Sequence, residues 1–193
     1  MKYVVIGHHH FDHVGGLHYV QTHYNPTILM GKLDWDVVMN SGAGMRRGAD
    51  VLDGQKLTLG DTTIAIYVTP GHTDGTLSFI FPVKDKGQTR VIAYPGGTAY
   101  NFPRSVARFQ SYIDTQKRFT KLVTDAGASV VLSNHSEFDM GYLKARMLST
   151  MMPGEANPFV IKDGVQRYQT VLLECAEAEK ARLIEGYDIP SKE

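Results

Sequence analysis

A short apolar run, Tyr3-Val4-Val5-Ile6, leads almost directly into His8-His9-His10-Phe11-Asp12-His13. No other feature constrains the chain as strongly. A strand fixes the direction in which the next loop leaves it. A His-x-His-x-Asp-His loop at a strand end can therefore aim two imidazoles at one cation, and the carboxylate and last imidazole at a second. Histidine and aspartate this closely packed are costly to keep unless a charged group holds them together. Such a chain needs a fold that brings strand ends to a common cleft.

Further potential ligands lie where that geometry asks for them. His72 sits in the tight turn Thr69-Pro70-Gly71-His72-Thr73-Asp74-Gly75-Thr76, and His135 follows the short strand Val130 to Leu132. The remaining pattern predicts strands at Lys2 to Ile6, Thr27 to Met30, Lys56 to Leu59, Thr62 to Thr69, Thr76 to Val83 and Arg90 to Tyr94, with a hairpin turn at Leu59-Gly60-Asp61-Thr62. Helices are predicted at Gly15 to Tyr24, Asp34 to Met39, Arg104 to Asp125, Gly141 to Met151 and Gln166 to Ile184. Asn40 to Gly54, rich in Gly, Ser and Asp, reads as a flexible loop. Strands in the middle with helices between and after them define a layered α/β domain (α+β in some schemes) over residues 1–193.

The composition narrows the function. Twenty basic and twenty acidic side chains cancel, so no basic field draws the chain to nucleic acid or to an anionic membrane. No apolar run approaches the roughly 20 residues needed to cross a bilayer. No charged segment followed by an apolar stretch opens the chain, so as given it is expected to stay in the cytoplasm; a longer parent could be exported. Cys175 is the single cysteine, lies in a helical pattern without a His neighbour, and reads as a buried or half-buried helix residue. Met147, Met151 and Met152 read as gap fillers of a core or helix seam.

The order and spacing of these motifs resemble the metallo-β-lactamase superfamily, from the first strand to about Asp139. The resemblance implies an αββα sandwich. It implies one zinc on His8, His10 and His72, and a second on Asp12 and His13, with His135 added as in many members. His9 and Phe11 fall at variable positions, and Phe11 reads as packing; His18 and His23 read as solvated. The bridging aspartate of most hydrolases in that family is missing, since the corresponding turn is Tyr94-Pro95-Gly96-Gly97-Thr98. That leaves either a degenerate, metal-poor site or a non-bridged pair like that of the B3-type β-lactamases, and the retained His72 and His135 favour the pair. The missing anion also implies that the three-His site fills more tightly. An oxidoreductase on this fold would need diiron and an acidic bridge, which the Gly96-Gly97 turn does not offer.

Zinc on three neutral imidazoles keeps its full charge and lowers the pKa of its water from about 15.7 to about 7. The resemblance thus implies a zinc-dependent hydrolase with one or two Zn2+ per chain. It would attack an amide or ester-type carbonyl of a small molecule, a β-lactam among the candidates, with Asp12 orienting the nucleophile. A thioesterase or lactonase is the alternative within the family, and a truncated metal-binding domain with little catalysis the alternative outside it. Asn134, Tyr100 and Ser136 are candidates for substrate contact, against the plainer reading as turn or cap residues. The loop Ser41 to Arg47 is a candidate cover, with Arg46 or Arg47 meeting a substrate carboxylate, or else a solvated loop. Glu137 and Asp139 read as groups that support the ligands or the start of a helix. Members of the family carry several strands before the His motif, and this chain carries one. The expectation is an N-terminally shortened sandwich with an apolar face, poorly soluble or covered in a homodimer.

Overall fold

The computed structural model describes residues 1–42 and 44–187. Ala43, within the predicted cover loop, lies outside the described residues. Two sheets form the middle of the molecule. The first holds β1 (Tyr3–Val5), β2 (Thr27–Gly31) and β3 (Ala49–Val51) in that order, all parallel. The second holds β4 (Gln55–Leu59), β5 (Thr62–Val68), β6 (Leu77–Asp85), β7 (Gln88–Tyr94) and β8 (Val130–Val131). Its first four strands form an antiparallel meander, and β8 adds parallel to β7.

The period-2 alternation of side chains separates the layers. Ile28 and Met30 of β2 face a cluster with Val14, Leu17, Trp35 and Val38 from α1 (Phe11–Val14), α2 (Leu17–Tyr24) and α3 (Lys32–Asn40). Leu29, between them, faces the other way and meets Ile66 and Leu77 of the second sheet. The far side of that sheet, through Ile80, Ala93 and Val131, packs on Phe119 and Val123 of α4 (Val106–Asp125) and Val165 of α7 (Gly164–Glu185). Helix, sheet, sheet, helix is the expected αββα order. Between β8 and α7 lie the short α5 (Ser136–Asp139) and α6 (Gly141–Ser149).

Several local expectations are corrected. The helix predicted from Gly15 begins at Leu17, as α2, and the His loop before it coils into a further short helix, α1, that was not expected, with Gly15-Gly16 between the two. The predicted loop from Asn40 contains β3, which pairs with β2 through Leu29 to Gly31. Arg46 and Arg47 do not reach toward a ligand: Arg46 donates to Asn25 Oδ1, and Arg47 is held between Asp36 and Asp50. Cys175 is exposed, since α7 turns Leu172 and Ala176 inward and leaves position 175 outside. Among the described residues no helix is long and apolar enough to cross a membrane.

Candidate metal centre

The cleft forms where the sheets meet, and the Leu77 N–H donating to Gly7 O at 2.7 Å fastens them there. The loop after β1 brings in His8 and His10, the β5–β6 turn brings in His72, and the loop after β8 brings in His135. His8 is fully buried and His72 nearly so. His8 Nδ1 lies 3.0 Å from Gly96 O, and His72 Nδ1 lies 2.7 Å from Ala99 O. Both carbonyls can only accept, so each Nδ1 carries the proton and each Nε2 presents a lone pair.

Those lone pairs converge. His72 Nε2 is 3.1 Å from His8 Nε2 and 3.1 Å from His10 Nδ1. Two unprotonated nitrogens facing each other repel unless something positive lies between them. Tetrahedral zinc with bonds of about 2.0–2.1 Å to nitrogen would set its ligands roughly 3.3 Å apart, so the three rings fit such an ion. Burial opposes charge on the rings, and the neighbouring imidazoles add to it. The pKa of His8 falls to about 2 and that of His72 to about 4, with burial the larger cause in each. His10 is also lowered by burial. The rings therefore stay neutral, as metal ligands must.

Asp12, His13 and His135 make a second group, whose ligand atoms lie within 4.8 Å of one another. Asp12 Oδ2 is 3.2 Å from His13 Nε2 and 3.5 Å from His135 Nε2. His13 Nε2 is buried but not aligned for a hydrogen bond, an orphan that a cation would satisfy. This group is more open than the first, since Asp12 is 55% exposed. The His8 and His13 ring centroids are 4.0 Å apart, so the two groups adjoin.

The Gly96-Gly97 turn, which offers no carboxylate, is closely packed. A Cβ added at Gly96 would lie 1.6 Å from Leu77 O, and one at Gly97 would lie 2.4 Å from His72 Cβ. A side chain at either position requires these neighbours to shift.

The sequence reading missed Asp34. It is 1% exposed and ties the two ligand-bearing loops together. Its Oδ2 accepts from the His9 N–H at 2.9 Å and from the Thr73 hydroxyl at 2.7 Å, and its Oδ1 accepts from the Gly75 N–H at 2.8 Å. His9 Nδ1 adds a contact at 3.1 Å to Oδ1. Burial would raise the Asp34 pKa, but the His9 ring and these donors outweigh it and hold the carboxyl below its ordinary value. The signal was present: Asp34 and Val38 are four apart on one helix face, and a carboxylate on a core-facing stripe needs partners.

The remaining candidates divide. Asn134 Nδ2 donates to Gly96 O at 3.1 Å, and its Oδ1 accepts from Thr98, so it braces the strand-end loops as a turn residue. Ser136 opens α5, half-buried beside His135. Tyr100 is corrected: it packs with Phe102, Phe109 and Tyr112, and its hydroxyl donates to Leu172 O of α7. Asp139 accepts from the Ser133 and Gly141 N–H groups and so supports the His135 loop, whereas Glu137 is exposed. Phe11, expected to pack, is 85% exposed, its ring beside Gly15. His18 and His23 are exposed, as expected.

Residues 1–85 match the metallo-beta-lactamase superfamily model. That match covers somewhat under half of the 193 residues, and over it the chain is similar to that superfamily. The hydroxyacylglutathione hydrolase of Maricaulis maris is 31% identical over 93 residues, 48% of this chain and 32% of that protein. The protein of the same name from Brucella anthropi is 30% identical over 82 residues, 42% of this chain and 29% of its own. The chain thus spans about a third of the length of these curated relatives. The fold is shared with BJP-1, a subclass B3 metallo-β-lactamase of Bradyrhizobium japonicum (TM-score 0.78, 23% identity, 97% of this chain and 75% of that one). It is shared as well with FEZ-1 of Legionella gormanii (TM-score 0.78, 21% identity, 96% and 76%).

Proposed function

We propose that the chain is a metal-dependent hydrolase of small-molecule acyl compounds, with zinc on His8, His10 and His72 and a second, weaker zinc on Asp12, His13 and His135. The convergence of three ring nitrogens, two of them unprotonated because the opposite nitrogen is tied to a backbone carbonyl, carries this reading. Zinc in such a site supplies a nucleophile at neutral pH by lowering the pKa of water to about 7. The chain's own residues do the rest. The two carbonyls fix the tautomers of His8 and His72, and Asp34 holds both loops in register. Asp12, exposed at the rim, would help to hold the second zinc and orient the nucleophile toward the acyl carbon. Burial of His8 and His72 keeps competing water off the ring nitrogens.

The sequence relatives carry the name of a hydrolase of hydroxyacylglutathione, and the structural neighbours are β-lactamases. Thioesters and β-lactams are therefore the two substrates to test first, with lactones third. The chain is purified without added metal, its zinc content measured, and each substrate assayed with zinc restored. Zinc near two per chain with turnover of one class supports the reading. Zinc binding without turnover of any class leaves a metal-binding domain and removes the catalytic part. Pairing of two copies along the edge strand β1, whose three residues are half-buried, belongs to the same reading; a stable monomer by light scattering removes it.

A further inference from the structure

A second cavity, of about 400 Å3, opens between β8, the α5–α6 segment and the start of α7. None of the six candidate metal ligands lines it. Its floor is core: Val131, Val165 and Leu172 are all buried. Its rim is apolar yet open, with Phe138 45%, Ile161 46% and Val171 60% exposed. Helix α6, along one side, buries none of its nine residues. A volume at the lower end of small-molecule pockets, about 300–1,000 Å3, with a dry floor suits a compact apolar body.

Three charged side chains line this cavity, Lys144, Arg167 and Asp139. The carboxylate of Asp139 is consumed by the Ser133 and Gly141 N–H groups. Lys144 and Arg167 also line the cavity, and neither makes an ion pair among the described residues. The Lys144 ammonium lies 5.7 Å over the Phe159 ring, which holds it at the cavity wall.

We propose that this cavity binds an amphiphilic anion, its apolar body on Val131, Val165 and Leu172 and its anionic head on Lys144 and Arg167. Burial of the exposed apolar rim drives binding, and the two unpaired cations select the head group. The site is separate from the metal centre and does not depend on its occupant.

Decanoate, kept below its micelle concentration, is titrated calorimetrically into the full chain in zinc-loaded and zinc-stripped form. One site per chain is expected, with the same affinity in both forms to within about twofold. Decanol should bind at least about tenfold more weakly and decylamine not at all. The double variant Lys144→Gln/Arg167→Gln should weaken decanoate at least about tenfold. Val171→Glu, at an exposed rim position, should abolish binding while the circular-dichroism melt stays unchanged. Binding lost on stripping zinc would assign the carboxylate to the metal centre and overturn the proposal. So would equal affinity for decanol, binding that survives both variants, or no saturable binding. A dimer in ultracentrifugation that Val171→Glu dissolves, without decanoate binding, would give this face to a second copy instead.

Discussion

Gly97 lies against a metal ligand with no room to spare. Its missing Cβ would meet His72 Cβ at 2.4 Å and Cγ at 2.6 Å, so Gly97→Ala must push the His72 ring out of register. Overpacking of this kind costs about 1–3 kcal/mol. The variant should fold, unfold at lower urea, and bind its first zinc measurably more weakly; wild-type zinc affinity would show that the ring can yield without cost. Asp34 works at longer reach. Asp34→Asn keeps the shape of the side chain but turns one acceptor into a donor facing donors, so either Gly75 N–H or the His9 and Thr73 pair loses its partner. Loss of stability of about 1–3 kcal/mol is expected, and zinc affinity should fall about 10–100-fold, as for other side chains that orient ligands. Asp34→Glu should be no rescue, because the site is closed. Competition with a chelating dye reads the affinity, and an unchanged value would reduce Asp34 to a fold residue.

Among the elements, α4 does more than cover the second sheet. Tyr112, buried, sends its hydroxyl to Gly97 O at 3.2 Å and Thr98 O at 3.4 Å. Gly71, at φ +136, lets the His72 turn press against Tyr112, whose Cα a Cβ there would meet at 2.6 Å. The helix thus backs the turn from behind. Tyr112→Phe should cost about 1 kcal/mol; a urea midpoint equal to wild type would mean that these two long hydrogen bonds contribute nothing. Long periodic elements of this kind were legible in the sequence. Helix α4 was expected to end at Asp125 and does, with Ser105 accepting from Arg108 N–H as its N-cap. The hairpin at Gly60-Asp61 also lies where the glycine asked for it, with φ +63. Strand β3 was not legible, because three residues with an aspartate at the centre carry no alternation. The sequence could offer six candidate ligands because four stand in one motif, His8 to His13, and the other two, His72 and His135, follow strands. The helix face of Asp34 was legible, but its partners were not, and neither was the close packing at Gly96-Gly97, since both depend on which distant backbone lies a few ångströms away. Tyr100 and Phe11 exchanged their expected places for the same reason: nothing local tells an aromatic side chain which layer it faces.

For the whole molecule, the buried imidazoles are a liability that a cation removes. In the unfolded chain His8 and His72 titrate near 6.5; in the folded chain they are lowered to about 2 and about 4. Between pH 6.5 and 4 the unfolded state therefore binds more protons, and stability rises with pH. Read in the acid direction, the metal-free chain should lose up to about 1.4 kcal/mol per pH unit for each of these two side chains. Urea midpoints at pH 7.5 and pH 5 measure this, and equal midpoints would contradict the burial of neutral rings. Zinc acts on the same equilibrium from the other side. An ion that binds only the folded chain, at about 1,000 times its Kd, adds about 4 kcal/mol. For a chain of 193 residues, each kcal/mol moves the melting temperature by roughly 2–4 °C. Zinc loading at pH 7.5 should therefore raise it by roughly 8–16 °C, and a chelator should reverse the rise. The gain should come in two steps. The three-His group, with the tautomers of His8 and His72 preset by Gly96 O and Ala99 O, fills first. The group around Asp12, more than half exposed, must order its carboxylate on binding and fills second. A single step with one zinc per chain would leave Asp12, His13 and His135 without a metal, and a melt unmoved by zinc would undo the convergence of the three rings as a metal site.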